Sequence, residues 1–180
     1  MTVLRLGTLQ GSPVADHPEL LAEPVRAALA GWPHADGVNV VAIDPALADT
    51  ATCSDAYQLP LSAGANCVVV AGRRDGAERV AACVVPADRR ADVNALVKRT
   101  IDVRKCSFLS MDRAVAESEM EYGGITPVGL PDQWRILVDE SLLDVDVVIV
   151  GSGLRRSKIL LPGHLLAKLP RAEVLPQLGI

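Results

Sequence analysis

Two apolar runs, Asn66-Cys67-Val68-Val69-Val70-Ala71 and Arg79-Val80-Ala81-Ala82-Cys83-Val84-Val85, are joined by Arg73-Arg74-Asp75-Gly76, and this arrangement limits the fold more than any other stretch of the chain. Asp-Gly between β-branched, apolar segments favours the left-handed backbone of a tight hairpin turn. The spacing therefore predicts two antiparallel strands.

The other elements arrange themselves around that hairpin. Residues 1–16 are irregular and rich in small residues, and predict a lead-in segment. Leu21, Val25, Ala28 and Leu29 share one face of a helix over residues 18–30, which Pro24 should kink or split. Val38 to Asp44 predicts a strand, and Pro45 to Gly64 a loop with a short helix. Asp88 is placed to cap a helix with a Val93, Leu96, Val97 and Ile101 stripe, and Ser110 to cap another that ends near Gly123. Arg135 to Val138, Val145 to Val150 and Lys158 to Leu161 predict strands, and His164 to Leu169 a short closing helix. Strands in hairpins and helices in pairs make an α+β fold with a mainly antiparallel sheet, not a doubly wound one.

Composition narrows the function classes. The chain has 180 residues, 49% of them hydrophobic, enough to bury a core as a single domain over residues 1–180. Only 3% of residues are aromatic, which leaves few platforms for extensive single-strand binding, and the net charge of -4 disfavours a protein that coats nucleic acid. A local basic patch can still hold one RNA end: Arg89, Arg90, Lys98, Arg99, Arg104 and Lys105 gather around one predicted helix, either as a solvated face or as a landing site for phosphates. Cys53, Cys67, Cys83 and Cys106 are far apart and predict reduced structural thiols. No apolar stretch approaches the roughly 18 to 20 residues that span a bilayer, so the expected location is cytoplasmic.

Candidate chemistry centres on Tyr122-Gly123-Gly124-Ile125-Thr126-Pro127-Val128-Gly129, which joins a helix end to a strand through glycines that bare the backbone. Bare amides can hold an anion or a carbonyl. Gly151-Ser152-Gly153 follows a strand but lacks the third glycine and the helix of a dinucleotide fingerprint, so it predicts a tight turn or a second wall of the same pocket. His17, His34 and His164 have no metal-binding spacing, and no Gly-x-Ser-x-Gly elbow surrounds any serine. Asp139, in Val138-Asp139-Glu140-Ser141, is either a strand-ending turn former or a pocket carboxylate for an amino group.

In order and spacing, the strand hairpin, the Val93 to Ile101 helix, Lys105-Cys106-Ser107-Phe108, Gly123 to Gly129, Val138 to Ser141 and Ile149-Val150-Gly151-Ser152-Gly153 resemble the YbaK and prolyl-tRNA editing family over about residues 35–172. The resemblance implies a YbaK-like fold, with a mainly antiparallel sheet or partly closed barrel flanked by helices. It implies a free-standing aminoacyl-tRNA deacylase, acting in trans, that uses no cofactor or metal. Gly123, Gly124 and Asn66 would be catalytic; Ile125, Thr126, Pro127, Asp139, Gly151, Ser152 and Gly153 would bind substrate. The implied partner is the acceptor end of a mischarged tRNA, with an aminoacyl-tRNA synthetase as a second candidate, and neither DNA nor a membrane. At the family's pocket lysine this sequence reads Asn66, which exchanges a fixed cation for an amide that can donate and accept hydrogen bonds. A non-catalytic pocket protein of the same fold, binding an aminoacyl-tRNA end, an amino acid or a protein, is the alternative; an α+β domain with an unrelated small ligand is a third.

Overall fold

The computed structural model describes residues 2–180. The lead-in is more ordered than its sequence suggests: β1 (Arg5–Leu6) and β2 (Leu9–Gln10) form a small hairpin, and β3 (Ser12–Pro13) pairs with β4 (Asn39–Ala42). Between β3 and β4 the expected broken helix is a single turn, Pro18–Leu20, followed by α1 (Glu23–Ala30). Pro24 does not kink α1. It lies in the first turn, where its missing N–H would have had no helical partner.

After α2 (Thr50–Tyr57), the hairpin of β5 (Ala65–Arg74) and β6 (Ala77–Pro86) pairs over its full length. Asp75 and Gly76 both take positive φ, 52° and 81°, the backbone that matches the twist of two antiparallel strands. The next helical segment begins with a wide turn over Val93–Val97 and continues as α3 (Lys98–Thr100). Its cap is Asp92 and not Asp88, because the Asp92 carboxylate accepts from the Ala95 and Leu96 amides at 3.1 and 3.0 Å. β7 (Lys105–Phe108) then lies along β5, and α4 (Met111–Ser118) starts after Ser110.

The C-terminal third supplies β8 (Arg135–Asp139), β9 (Val148–Gly151), β10 (Ser157–Leu161) and β11 (Ala172–Leu175), with a 3-10 turn at Gly163–Lys168. The strands form a four-stranded antiparallel sheet in the order β3-β4-β10-β9 and a five-stranded sheet in the order β11-β8-β6-β5-β7. The second sheet is mixed, since β6–β8 and β8–β11 are parallel. This is an α+β architecture with antiparallel and mixed sheets that do not close into a barrel; one isolated bridge, Gly64 to Ile149, links their edges.

The main core lies between the sheets, where Val69, Ala82, Val84, Ile136 and Val138 meet Val40, Val148, Val150, Ile159 and Leu161. Alternation sends the intervening residues, among them Val70, Ala81, Cys83 and Leu137, to the other face, where they pack under Val93, Val97 and Ile101. A third cluster, with Cys53, Leu59, Ile149 and Leu160, fastens α2 to the four-stranded sheet. The gap between α2, the edge of β5 and the loop after α4 is where a cavity opens.

Candidate functional site

That cavity measures about 420 Å³ and is bounded by α2 with the preceding Ala48-Asp49, by the start of β5, by Gly123 and Ile125, and by β9 and β10. Much of its wall is apolar: Leu59, Val69, Leu109, Ile149 and Val150 face it. Four residues expected at a site reach it, Asn66, Gly123, Ile125 and Gly151. Asn66 and Gly123 of the glycine loop therefore border the same cavity, which opens along the edge of β5.

Asn66 is held at a fixed angle. The Thr50 hydroxyl at the start of α2 donates to Asn66 Oδ1 at 2.7 Å, which leaves the Asn66 amide hydrogens as donors toward the cavity.

The glycine loop works differently from its sequence-based reading. Gly124 does not line the cavity, and its N–H is already used by the Glu121 carbonyl at 2.9 Å. Its carbonyl accepts from the Gly153 amide at 2.8 Å, and a Cβ at Gly124 would lie 2.8 Å from the Leu154 backbone. A Cβ at Gly151 would run into the Gly124 carbonyl. These glycines are small so that two backbone segments can touch. Gly123, at φ 77°, is the one that turns the chain toward the cavity, and among the described residues neither its N–H nor that of Ile125 has a hydrogen-bond partner.

The remaining expected site residues lie behind this contact. Thr126 is fully buried and its hydroxyl has no partner, while Pro127 lines a separate hollow of about 290 Å³ beside Trp32 and Leu130. Ser152 is buried, bonded to Ser157 Oγ at 2.7 Å, and Gly153 takes φ 83° to complete the turn. Asp139 is no pocket carboxylate. It is 1% exposed, accepts from the Ser141 amide at 2.9 Å and the Ser141 hydroxyl, and receives the Gly179 amide at 2.6 Å. Of its two sequence readings, the strand-ending turn describes its geometry.

The residue that sequence reasoning missed is Lys158. It projects from β10, a central strand between β4 and β9, on the face it shares with Leu160. Its Nζ donates to the Ala48 carbonyl at 3.0 Å and reaches the Gly123 carbonyl at 3.5 Å. Among the described residues no carboxylate lies within salt-bridge distance of it. Burial is the main influence on the ammonium and lowers its pKa; Arg155 lowers it further, while Asp49 and Cys53 oppose the shift. Cys53 is itself pushed up by burial, so at neutral pH its thiol is uncharged and the opposition comes from Asp49. The available sequence signal was a lone lysine inside Ser157-Lys158-Ile159-Leu160-Leu161, an otherwise apolar strand.

Arg155 braces the rim. Its guanidinium donates to the Tyr122 carbonyl at 3.1 Å and the Pro45 carbonyl at 3.2 Å, and lies 5.5 Å from the centre of the Tyr122 ring. Burial raises the pKa of both cavity thiols, Cys53 and Cys67, the latter to about 12, which keeps them from the nucleophilic thiolate form. The helical segment with Lys98 and Arg99 packs on the face of the five-stranded sheet that points away from the four-stranded one, and Arg104 sits 3.7 Å from Asp75. The sequence-predicted basic cluster is thus not the lining of the cavity.

Three solved structures share this fold. A hypothetical protein aligns with TM-score 0.69 and 21% identity over 79% of this chain and 91% of its own. A scaffold used for epitope backbone grafting gives 0.71 and 21% over 86% and 95%. A candidate trans-editing enzyme for prolyl tRNA synthetase gives 0.71 and 20% over 86% and 94%. No curated protein sequence matches. The profile of the aminoacyl-tRNA editing domain covers residues 44–169 and so encloses the cavity walls from Thr50 to Lys158; the chain belongs to the aminoacyl-tRNA editing domain family.

Proposed function

We propose that the chain is a free-standing deacylase that hydrolyses the ester of mischarged tRNA in trans, with the 420 Å³ cavity as its site. The observation that carries this reading is the meeting, in one largely apolar cavity, of an oriented carboxamide with two backbone amides and a lysine that have, among the described residues, no hydrogen-bond acceptor and no counter-ion respectively. An aminoacyl ester needs little more. It is already an activated acyl group, and the neighbouring ribose hydroxyl can guide a water to it.

In this mechanism the ester carbonyl oxygen accepts from the Gly123 and Ile125 amides, which stabilise the oxyanion as water adds to the carbonyl carbon. The tetrahedral intermediate then expels the ribose oxygen, which takes up one proton of the added water, and the amino acid leaves as its carboxylate, its second water-derived proton passing to solvent. One such donor is worth on the order of 100- to 1,000-fold in rate. Lys158 adds positive charge beside the loop, in surroundings where screening by water is weak. Asn66 positions the attacking water or the ribose. Leu59, Val69 and Ile149 suit an uncharged amino-acid side chain, because an ionised one would be desolvated there without a partner. Four free cysteines fit a reduced, cytoplasmic setting.

Incubating the protein with a panel of mischarged tRNAs tests the reading. Hydrolysis of tRNAs carrying uncharged amino acids above the buffer rate is expected. No hydrolysis of any member would refute catalysis, and binding without hydrolysis would identify a non-catalytic pocket protein of the same family.

A further inference from the structure

The chain contains only five aromatic side chains, two Trp, two Tyr and one Phe. Trp32 and Trp134 are buried, and Tyr57 is half-buried, its hydroxyl accepting from the Asp44 amide at 3.0 Å. The other two are among the few large apolar side chains left in water: Phe108 is 67% exposed and Tyr122 53% exposed. Both lie on the mouth of the same cavity, and Met111, 47% exposed, joins them there. Exposed apolar side chains scattered singly need no explanation, but three converging on one opening do.

Neither aromatic is needed for packing. Phe108 ends β7, opposite Val70 on β5, and is largely exposed where it borders the cavity. Tyr122 is held from one side by Arg155, whose guanidinium bonds the Tyr122 carbonyl and lies over the ring. Arg155 flanks the ring on one side, and more than half the residue's surface remains open. An exposed aromatic flanked in this way loses little freedom when a flat ligand stacks on it.

We propose that Phe108 and Tyr122 form the platform on which the 3′-terminal nucleobase of the tRNA stacks. The inference rests on the deacylase reading, in which the ester carbonyl lies at Gly123. The ribose that bears the ester then sits at the mouth, and its base, attached to the same ring, must lie on the rim. Phe108 and Tyr122 are the aromatic faces available there. The cavity interior itself is walled by aliphatic side chains and the Lys158 ammonium, which suits an amino acid and not a base. Stacking also explains how an acidic chain whose basic cluster does not line the cavity could select an RNA end: the contact needs no phosphate and tolerates any base.

The probe is an uncharged acceptor-stem minihelix whose terminal adenine is replaced by 2-aminopurine, a fluorophore quenched when it stacks. Quenching on addition of the protein is expected, with affinity lowered roughly 5- to 100-fold by the double substitution Phe108→Ala with Tyr122→Ala. Phe108→Trp should preserve quenching, whereas Phe108→Leu, apolar but without a π face, should reduce it to what Tyr122 alone supports. A minihelix ending in an abasic ribose should bind as weakly to the wild type as the normal one does to the double variant. Equal affinity for abasic and normal ends, absence of quenching, or an unchanged KM for deacylation by the double variant would each overturn the platform. Loss of the platform with deacylation intact leaves the editing reading standing; quenching without any deacylation does the reverse. Both positions are exposed, so folding is not at stake.

Discussion

Asp139 and Lys158 are both charged residues on strands of apolar character, yet the protein treats them in opposite ways. Asp139 ends β8 with each carboxylate oxygen engaged: one holds Ser141, the other the Gly179 amide near the chain's end. Lys158, on β10, has two carbonyls as partners and no carboxylate in reach among the described residues. A buried charge whose bonds are all satisfied by its own chain is architecture. One left with positive charge facing a cavity is available to something that the chain does not supply.

The sharpest way to break this contrast is Lys158→Met, which keeps most of the length of the side chain and removes its charge. If the ammonium faces the developing negative charge, kcat/KM for deacylation should fall by about 100- to 1,000-fold, equivalent to roughly 3–4 kcal/mol of transition-state stabilisation. The thermal midpoint should not fall, because a desolvated charge has been removed and not a paired one. Activity within threefold of the wild type would make Lys158 a structural residue like Asp139.

Asp139→Ala is the converse experiment. It leaves the Ser141 and Gly179 amides without their acceptor in a buried setting and should cost about 3 kcal/mol in unfolding by denaturant. Deacylation by the fraction that remains folded should change less than twofold. A large loss of kcat in fully folded variant protein would restore Asp139 to the site and collapse the comparison.

The sequence made the two kinds of charge hard to separate, for physical reasons. What it revealed well was local: the Asp75-Gly76 hairpin, the split near Pro24 and the α+β class all follow from turn chemistry and periodicity. Parallel pairing of β8 with β6 and β11 was invisible, because the register depends on contacts between segments far apart in the chain. The glycines were misjudged for a related reason. A bare amide and a close backbone contact ask for the same residue, and only the fold shows that Gly124 serves the contact while Gly123 faces the cavity. Asn66 drew attention as a gap, yet a positive charge enters the same cavity from β10, nearly a hundred residues later.

A smaller effect probes the polar wall next to Lys158. Thr50→Val removes the hydroxyl that fixes Asn66 Oδ1 and frees the carboxamide to rotate. A single neutral hydrogen bond is worth about 1 kcal/mol, so kcat should drop roughly three- to tenfold with KM little changed. Thr50→Ser, which retains the hydroxyl, should recover most of the rate. A loss in Thr50→Ser with the rate retained in Thr50→Val would mean that the methyl group and its packing matter and the orientation of Asn66 does not.

The subtlest consequence is in the pH dependence. Burial and Arg155 lower the Lys158 pKa in the folded protein, Asp49 opposes them, and Cys53, whose own pKa burial raises, adds nothing while it remains a neutral thiol. In the unfolded chain the group titrates near the ordinary lysine value of about 10.4. Between the lowered folded pKa and that value the unfolded state binds more protons, so stability contributed through Lys158 must rise with pH across this window. Below it both states are protonated and the folded protein carries the full cost of a desolvated ammonium; above it neither is charged. The difference in unfolding free energy between wild type and Lys158→Met should therefore be flat below the window and shift toward the wild type as the window is crossed. Over the same window deacylation, measured relative to the buffer rate, should decline as the ammonium is lost, at lower pH than an exposed lysine would give. A stability difference that stays constant throughout would show that Lys158 is hydrated in solution, and that the cavity does not set it apart from a surface charge.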